Sequence, residues 1–273
     1  MQIIYSPRCL EYGDPGHPES PERIRGAANY LWRKGYFFLE PEPCSEQDLL
    51  RVHSSDLVEG VKAENFSFVG DTPRIKDIYH YARLAAGGAI LACEMGGFSL
   101  LRPPGHHAGR DFLGGFCYFN NLAIAVEKSG KDTLIVDIDG HHGNGTQDIF
   151  RASRKVSYIS MHRMGYPGTG LTSGRNYSNN MFRWKMGDSA YVENLRAMLQ
   201  SAPQTEQIAV SAGFDAYDAD PFASLGLTRR GFFRLGQVLA GQNTPLFCVL
   251  EGGYVANQLG PLVHNFLAGL SPP

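Results

Sequence analysis

Six short runs of the chain, QIIY (2–5), FSLL (98–101), TLIVDI (133–138), VSYISM (156–161), QIAVSA (207–212) and LFCVLE (246–251), are almost continuously apolar. A strand without a polar face must be covered on both sides, and that is the condition of a parallel sheet held between layers of helices. Amphipathic stretches fill most of the gaps and predict helices over 20–34, 76–95, 120–129, 188–201 and 228–241. Ser20-Pro21 is a start signal for the first of these, and Thr228 is the expected N-cap of the last. The pattern is that of an α/β fold, and no stretch has the composition of a linker, so one domain over residues 1–273 is expected.

Charge and cysteine usage exclude several classes of function. With 25 basic against 27 acidic residues the chain carries no basic stripe to follow a phosphate backbone, so no nucleic-acid partner is expected. Cys9, Cys44, Cys93, Cys117 and Cys248 are scattered, odd in number and free of CxxC spacing, which suits reduced thiols and a cytoplasmic location. MQIIYSPRC runs directly into a strand with no leader-like apolar region, and no later run approaches membrane-spanning length, so no membrane partner is expected.

The residues able to do chemistry lie just past the strands' carboxyl ends: RPPGHH after FSLL, DGHHGNG after TLIVDI, GFDAYDAD after QIAVSA and GGY after LFCVLE. In an open parallel sheet the loops beyond those ends converge on one edge, where ligand sites form. Asp139 and His141 are separated by one position, so in an extended segment their side chains point the same way, and Asp215 can supply a third ligand. Two carboxylates and one imidazole suit Zn²⁺ or Fe²⁺ and leave coordination positions open. A lone strand-end Asp-x-His would be read as a hydrogen-bonded turn. Here Asp137 repeats the spacing on a strand that should be deeply buried, where a carboxylate needs a partner. His142 points opposite to His141 and reads as a structural hydrogen-bonder. In the Gly- and Pro-rich RPPGHHAG the two imidazoles can converge, one as a general base and the other as its electrostatic partner. Tyr254, after two glycines, can donate a hydrogen bond to a developing oxyanion.

Taken in order, GHPESPERI, DTP, RPPGHHAG, GGFCYFNN, DIDGHHGNGTQ, VSYISMH, YPGTG, SAGFDA and EGGY resemble the histone deacetylase and acetylpolyamine amidohydrolase family, from about residue 5 to 260. HHGNGTQ and EGGY resemble its class II branch more than class I. The resemblance implies the arginase/deacetylase fold, a three-layer α/β/α sandwich around a parallel sheet of about eight strands, and zinc-dependent hydrolysis of an acetylated amine. Residue by residue it implies Asp139, His141 and Asp215 as zinc ligands, His107 as general base, His106 as its electrostatic partner and Tyr254 as oxyanion donor. Asp137 matches the carboxylate paired with the first histidine of GHH, and Asn144 stands where class I members carry Asp beside the second. An amide cannot hold an imidazolium as a carboxylate does, so His107 should be easier to keep neutral.

The same resemblance implies Phe116, with Gly115 beside it, and Tyr166 as walls for an acyl-lysine stem, Tyr166 departing from the usual Phe. Asp71 matches a rim carboxylate that binds substrate amides, and Phe222 a position facing the channel mouth. A structural potassium ion is implied at Asp137, Asp139, Ser160 and the carbonyls of His141 and Met161, with a second monovalent site near Phe150, Ser153 and Val156. Gly143 and Tyr217 occupy the places where the related arginase arrangement needs carboxylates, so a binuclear centre is not expected. The substrate readings are an acyl-lysine type amine, an acetylpolyamine, or acyl-ligand binding without turnover. No inserted segment resembles the loop through which bacterial acetylpolyamine amidohydrolases dimerise, so a monomer is expected.

Overall fold

The computed structural model describes residues 1–66 and 70–271. Its sheet is built from β1 (Ile3–Ile4), β2 (Phe38–Leu39), β3 (Phe98–Ser99), β4 (Thr133–Asp137), β5 (Val156–Arg163), β6 (Tyr177–Phe182), β7 (Gln207–Ala212) and β8 (Leu246–Leu250). The spatial order is β2-β1-β3-β8-β7-β4-β5-β6, with every adjacent pair parallel. The helices are α1 (Pro21–Arg33), α2 (Glu46–Leu49), α3 (Ser55–Lys62), α4 (Ile78–Met95), α5 (Asn121–Ser129), α6 (Asn144–Phe150), α7 (Gly187–Ser201), α8 (Arg229–Ala240) and α9 (Ala256–Leu270). No described helix is long and apolar enough to cross a membrane.

The continuous apolar runs divide by alternation into two cores. Leu134, Val136, Val210 and Cys248 face α1, α7, α8 and α9, where they pack with Ile24, Leu31, Leu195, Phe232 and Phe266. Ile135, Ala209, Phe247 and Val249 face the other way and pack with Ala82, Ala86 and Ala89 of α4 and Leu122 and Ile124 of α5. This period-two division is why no strand of the centre shows a polar face. All five cysteines are free thiols.

All six expected strands form. FSLL pairs only over Phe98–Ser99, and Pro103 and Pro104, which lack an N–H, soon end any ladder. The five expected helices form within two residues of their expected ends. Thr228 caps α8 by accepting the Gly231 N–H at 3.3 Å, and Asn120 caps α5 by accepting that of Ala123 at 3.0 Å. Edge strand β6, YSNNMF, escapes the sequence signal because it is polar and only half-buried; its pairing with β5 gives it its conformation. Helix α9 escapes it because Pro261 interrupts the pattern that would announce a helix.

One buried ion cluster ties the amino-terminal segment to the sheet. Arg102 donates to both carboxylate oxygens of Glu19, at 2.8 and 2.7 Å, and to the carbonyls of Cys9 and Tyr12 at 3.0 and 2.8 Å. Arg23 reaches the same Glu19 at 3.0 Å. Burial opposes the charge of Glu19, but the two arginines prevail and hold its carboxyl below the usual range. Glu19→Gln is therefore expected to lower the unfolding free energy by roughly 3–5 kcal/mol, since it leaves two buried guanidinium groups without their counter-charge. Urea unfolding of the variant checks this, with the exposed Lys62–Glu46 pair as control; a Lys62→Gln variant that loses as much would contradict the assignment.

Candidate active site

Strands β3, β8, β7, β4 and β5 are consecutive in the sheet, so the loops leaving their carboxyl ends crowd one edge. Asp139 and His141 follow β4, Asp215 follows β7, and their ligand atoms all lie within 4.8 Å of one another. Backbone donors aim the carboxylates. Asp139 accepts the N–H of His141 and of Gly252, each at 2.8 Å, and Asp215 Oδ1 accepts that of Gly140 at 2.6 Å. A Cβ on Gly213 or Gly252 would collide with Asp139, so both positions need the absence of a side chain.

The other oxygen of Asp215 is buried without a hydrogen bond and lies 2.7 Å from His141 Nδ1. Burial opposes the charge of His141, yet Asp215 and Asp139 raise it to about 11. Burial, then Asp139, pushes Asp215 up to about 7. Two carboxylates that draw a cation between them, an orphaned carboxylate oxygen and an imidazole nitrogen together fit a divalent ion that accepts mixed N and O ligands.

The first histidine doublet lies beside this cluster, its two rings 4.0 Å apart, and each ring has a different partner. His106 Nδ1 is 3.1 Å from Asp137 Oδ2, which also accepts the Tyr158 hydroxyl at 2.9 Å. Burial works against a charged His106, but Asp139 and Asp137 raise it to about 10. His107 Nδ1 is 2.7 Å from Asn144 Oδ1, and an amide oxygen only accepts, so Nδ1 carries the proton and Nε2 keeps its lone pair. Burial, with the charges of His106 and His141, holds His107 well below the ordinary histidine range. His142 turns to Thr169 and Gln147, at 2.8 and 3.0 Å, and stays outside the cluster.

A cavity of about 270 Å³ opens onto these groups, lined by Asp71, His107, Gly115, Phe116, His141, Tyr166, Phe222 and Tyr254. Gly115 has φ +56°, and a Cβ there would strike the His107 ring, so the chain can pass this close only as glycine. Asp71 Oδ1 accepts the Gly115 N–H at 3.0 Å and the Thr72 hydroxyl at 2.9 Å, which fixes the Phe116 wall from the rim. Burial raises the Tyr254 phenol well above its ordinary value and keeps it a donor. Its ring is gripped by Phe222 at 4.9 Å and by the Arg23 guanidinium at 4.6 Å.

The two anticipated monovalent sites differ. At the first, Asp137 and Ser160 are register partners on β4 and β5, Ser160 Oγ lies 2.9 Å from His162 Nδ1, and the Met161 carbonyl accepts the Tyr191 hydroxyl at 3.3 Å. At the second, the carbonyls of Phe150, Ser153 and Val156 come together and all three accept from Asn176 Nδ2, at 2.6, 3.3 and 3.2 Å. A neutral amide donor of the chain itself already serves these oxygens. Sequence reasoning also passed over Arg23, Tyr158, Asp220 and Glu251. Asp220 accepts the N–H of Tyr254 at 2.8 Å and of Phe222 at 3.0 Å. Glu251 was the legible one, an acid closing an otherwise apolar run.

The chain is similar to several known proteins. A probable deacetylase of Methanothermobacter thermautotrophicus is 37 % identical, over 99 % of this chain and 90 % of that protein. The acetylpolyamine amidohydrolase of Mycoplana ramosa is 36 % identical, over 67 % of this chain and 58 % of its own. The crystal structure of the HDA15 HD domain superposes with a TM-score of 0.91 at 31 % identity, covering 98 % of this chain and 90 % of that one. The histone deacetylase domain matches residues 17–270, the span that carries both histidine doublets, the Asp215 loop and Tyr254, so the chain belongs to the histone deacetylase family and is a deacetylase, of a kind whose hydrolysis is generally metal-dependent.

Proposed function

We propose that the protein is a zinc-dependent hydrolase that removes acetyl groups from lysine-type amines, with His107 as general base and Tyr254 as oxyanion donor. The observation that carries this is the 2.7 Å contact of His107 Nδ1 with Asn144 Oδ1, which assigns the proton to Nδ1 and leaves Nε2 as the basic nitrogen of a ring that lines the cavity together with His141. Asp139, His141 and Asp215 would hold the ion, and zinc there supplies the Lewis acidity that polarises an amide carbonyl and eases ionisation of water. His107 Nε2 takes the proton of the attacking water. The Tyr254 hydroxyl donates to the carbonyl oxygen as it becomes an oxyanion. His107 then returns the proton to the amine nitrogen as the C–N bond breaks, so that acetate and a free amine leave. His106, held cationic by its carboxylate neighbours, keeps positive charge beside the base and thereby keeps His107 neutral between turnovers.

Phe116 and Tyr166 form apolar walls suited to a methylene stem, and Asp71 stands at the rim as an acceptor for amides of the substrate. Phe222 is 44 % exposed at the mouth and brings no negative charge to attract a polyamine's second ammonium group. Asp137, Asp139, Ser160 and the carbonyls of His141 and Met161 form an all-oxygen set for a structural potassium ion. The reading includes a single cytoplasmic catalytic domain acting as a monomer, without nucleic-acid or membrane partners, in keeping with a net charge of −2.

Asp215→Asn and His141→Ala are expected to lose bound metal along with activity, because each removes one of three protein ligands. Metal analysis of the purified variants decides this, and unchanged stoichiometry in either contradicts the ligand set. His107→Ala and Tyr254→Phe should retain the metal and lower kcat by roughly a hundredfold or more, the scale of losing a general base or an oxyanion donor. Parent-like turnover of an acetyl-lysine peptide would remove the role given to that residue. For the substrate, kcat/KM for an acetyl-lysine peptide should exceed that for acetylputrescine and acetylspermidine, and Phe222→Glu should move the ratio toward the polyamines. A parent enzyme that prefers the polyamines would sink the lysine reading in favour of the acetylpolyamine one.

A further inference from the structure

Two of the strand-end loops must be held at a fixed separation if His107 and Tyr254 are to act on one carbonyl, and neither loop has a ladder to hold it. The loop after β3 is RPPGHH. Its prolines lack N–H groups, and the N–H groups of Gly105 and His106 find no carbonyl partner. Both point instead at a single oxygen, Glu251 Oε2, at 2.7 and 3.1 Å. The other oxygen, Oε1, accepts the hydroxyl of Ser211 on β7 at 3.2 Å. Glu251 is 1 % exposed and begins the Glu251-Gly252-Gly253-Tyr254 segment. That segment is itself anchored: the carbonyls of Glu251 and Gly253 accept from Arg23 at 2.9 and 2.7 Å, and the Gly252 N–H donates to Asp139 at 2.8 Å. One carboxylate thus bridges the segment that ends in the phenol and the loop that carries both imidazoles.

We infer that Glu251 is a positioning residue that sets the place of His107 relative to Tyr254, by clamping the backbone of Gly105 and His106 to the segment leading to the phenol. The role rests on the reading of His107 as base given above. It is a matter of acceptor geometry: two N–H groups converging on one oxygen fix the direction of the peptide plane, and with it the side chains that follow. Displacement of a catalytic group by about 1 Å is enough to lose on the order of a hundredfold in rate. Replacing the carboxylate with an amide keeps that geometry. A Gln carbonyl can accept both N–H groups, and its NH₂ can donate to the Ser211 oxygen, which has lone pairs to spare.

The test is a double-mutant cycle on the metal-loaded enzyme with an acetyl-lysine peptide, alongside metal content and thermal stability. Glu251→Ala is expected to lower kcat by roughly ten- to a hundredfold with KM changed less than about threefold and metal retained. Glu251→Gln should stay within about fivefold of the parent. In a His107→Ala background, Glu251→Ala should cost little more, because the group it positions is gone. Should Glu251→Ala not fold, Glu251→Asp takes its place in the same cycle, since it keeps the charge and withdraws the oxygens by one methylene. Equal losses in both backgrounds, loss of metal, or a Gln variant as slow as the Ala variant would each overturn the inference. Parent-like turnover by His107→Ala alone would overturn the general-base reading as well, so the two failures are distinguishable.

Discussion

Asp137, Asp139, Asp215 and Glu251 stand at or just past the carboxyl ends of β4, β7 and β8, and none is more than 1 % exposed. Moving a carboxylate out of water costs several kcal/mol even after relaxation, so four in one place dictate what surrounds them. Backbone N–H groups answer first, from Asp139, Gly140, His141, Gly252, Gly105 and His106. Positive charge answers next, in His106 and His141. Asp215 Oδ2, which has no hydrogen bond and faces only His141 Nδ1 at 2.7 Å, marks where a metal ion could replace the imidazole proton as the positive charge at this edge. Gly143, Gly213 and Gly252 follow from the same constraint, since a Cβ at each would strike a carboxylate oxygen of Asp137 or Asp139.

The amino-terminal helix takes part in this arrangement from more than two hundred residues away. Arg23 of α1 shares Glu19 with Arg102, donates to the carbonyls of Glu251 and Gly253, and lies over the Tyr254 ring. A fully buried guanidinium is tolerable only with its donors satisfied, and Glu19 and the two carbonyls supply the acceptors. The cluster that stabilises the packing of α1 therefore also restrains the segment bearing the phenol. Stability and geometry of the site are linked here through a single side chain.

Much of this was legible in the sequence, and the reasons differ by element. The central strands announce themselves because burial on both faces removes polar residues, and α1 and α8 because Ser20-Pro21 and Thr228 mark their starts. Strand β6 is invisible, since an edge strand of Ser and Asn is shaped by its neighbour and not by its own preferences. For the site, the one-residue spacing of Asp139 and His141 is geometric information that survives without a structure. Arg23, Asp220 and Glu251 reach the site through backbone atoms distant in sequence, the carbonyls of Glu251 and Gly253 and the N–H groups of Tyr254, Gly105 and His106, and a pattern of residue types cannot reveal contacts to backbone. Asn176 is hidden for the same reason, because its three acceptors are carbonyls.

His106 and His107 are adjacent and both buried, yet their surroundings shift them in opposite directions, Asp139 and Asp137 raising His106 against burial, and burial with its charged neighbours lowering His107. Asp137, an anion, stabilises the imidazolium of His106; Asn144, neutral, orients His107 without stabilising its charge. The cationic neighbour then adds to that difference, because a second positive charge 4.0 Å away disfavours protonation of His107. A carboxylate at position 144 would accept the same Nδ1 proton and fix the same tautomer, but it would also raise the basicity of the ring and hold it charged over more of the working range. On the proposed reading, the amide separates two functions that a carboxylate joins: it fixes which nitrogen is free while leaving that nitrogen unprotonated, which is the state a water-activating base must start from.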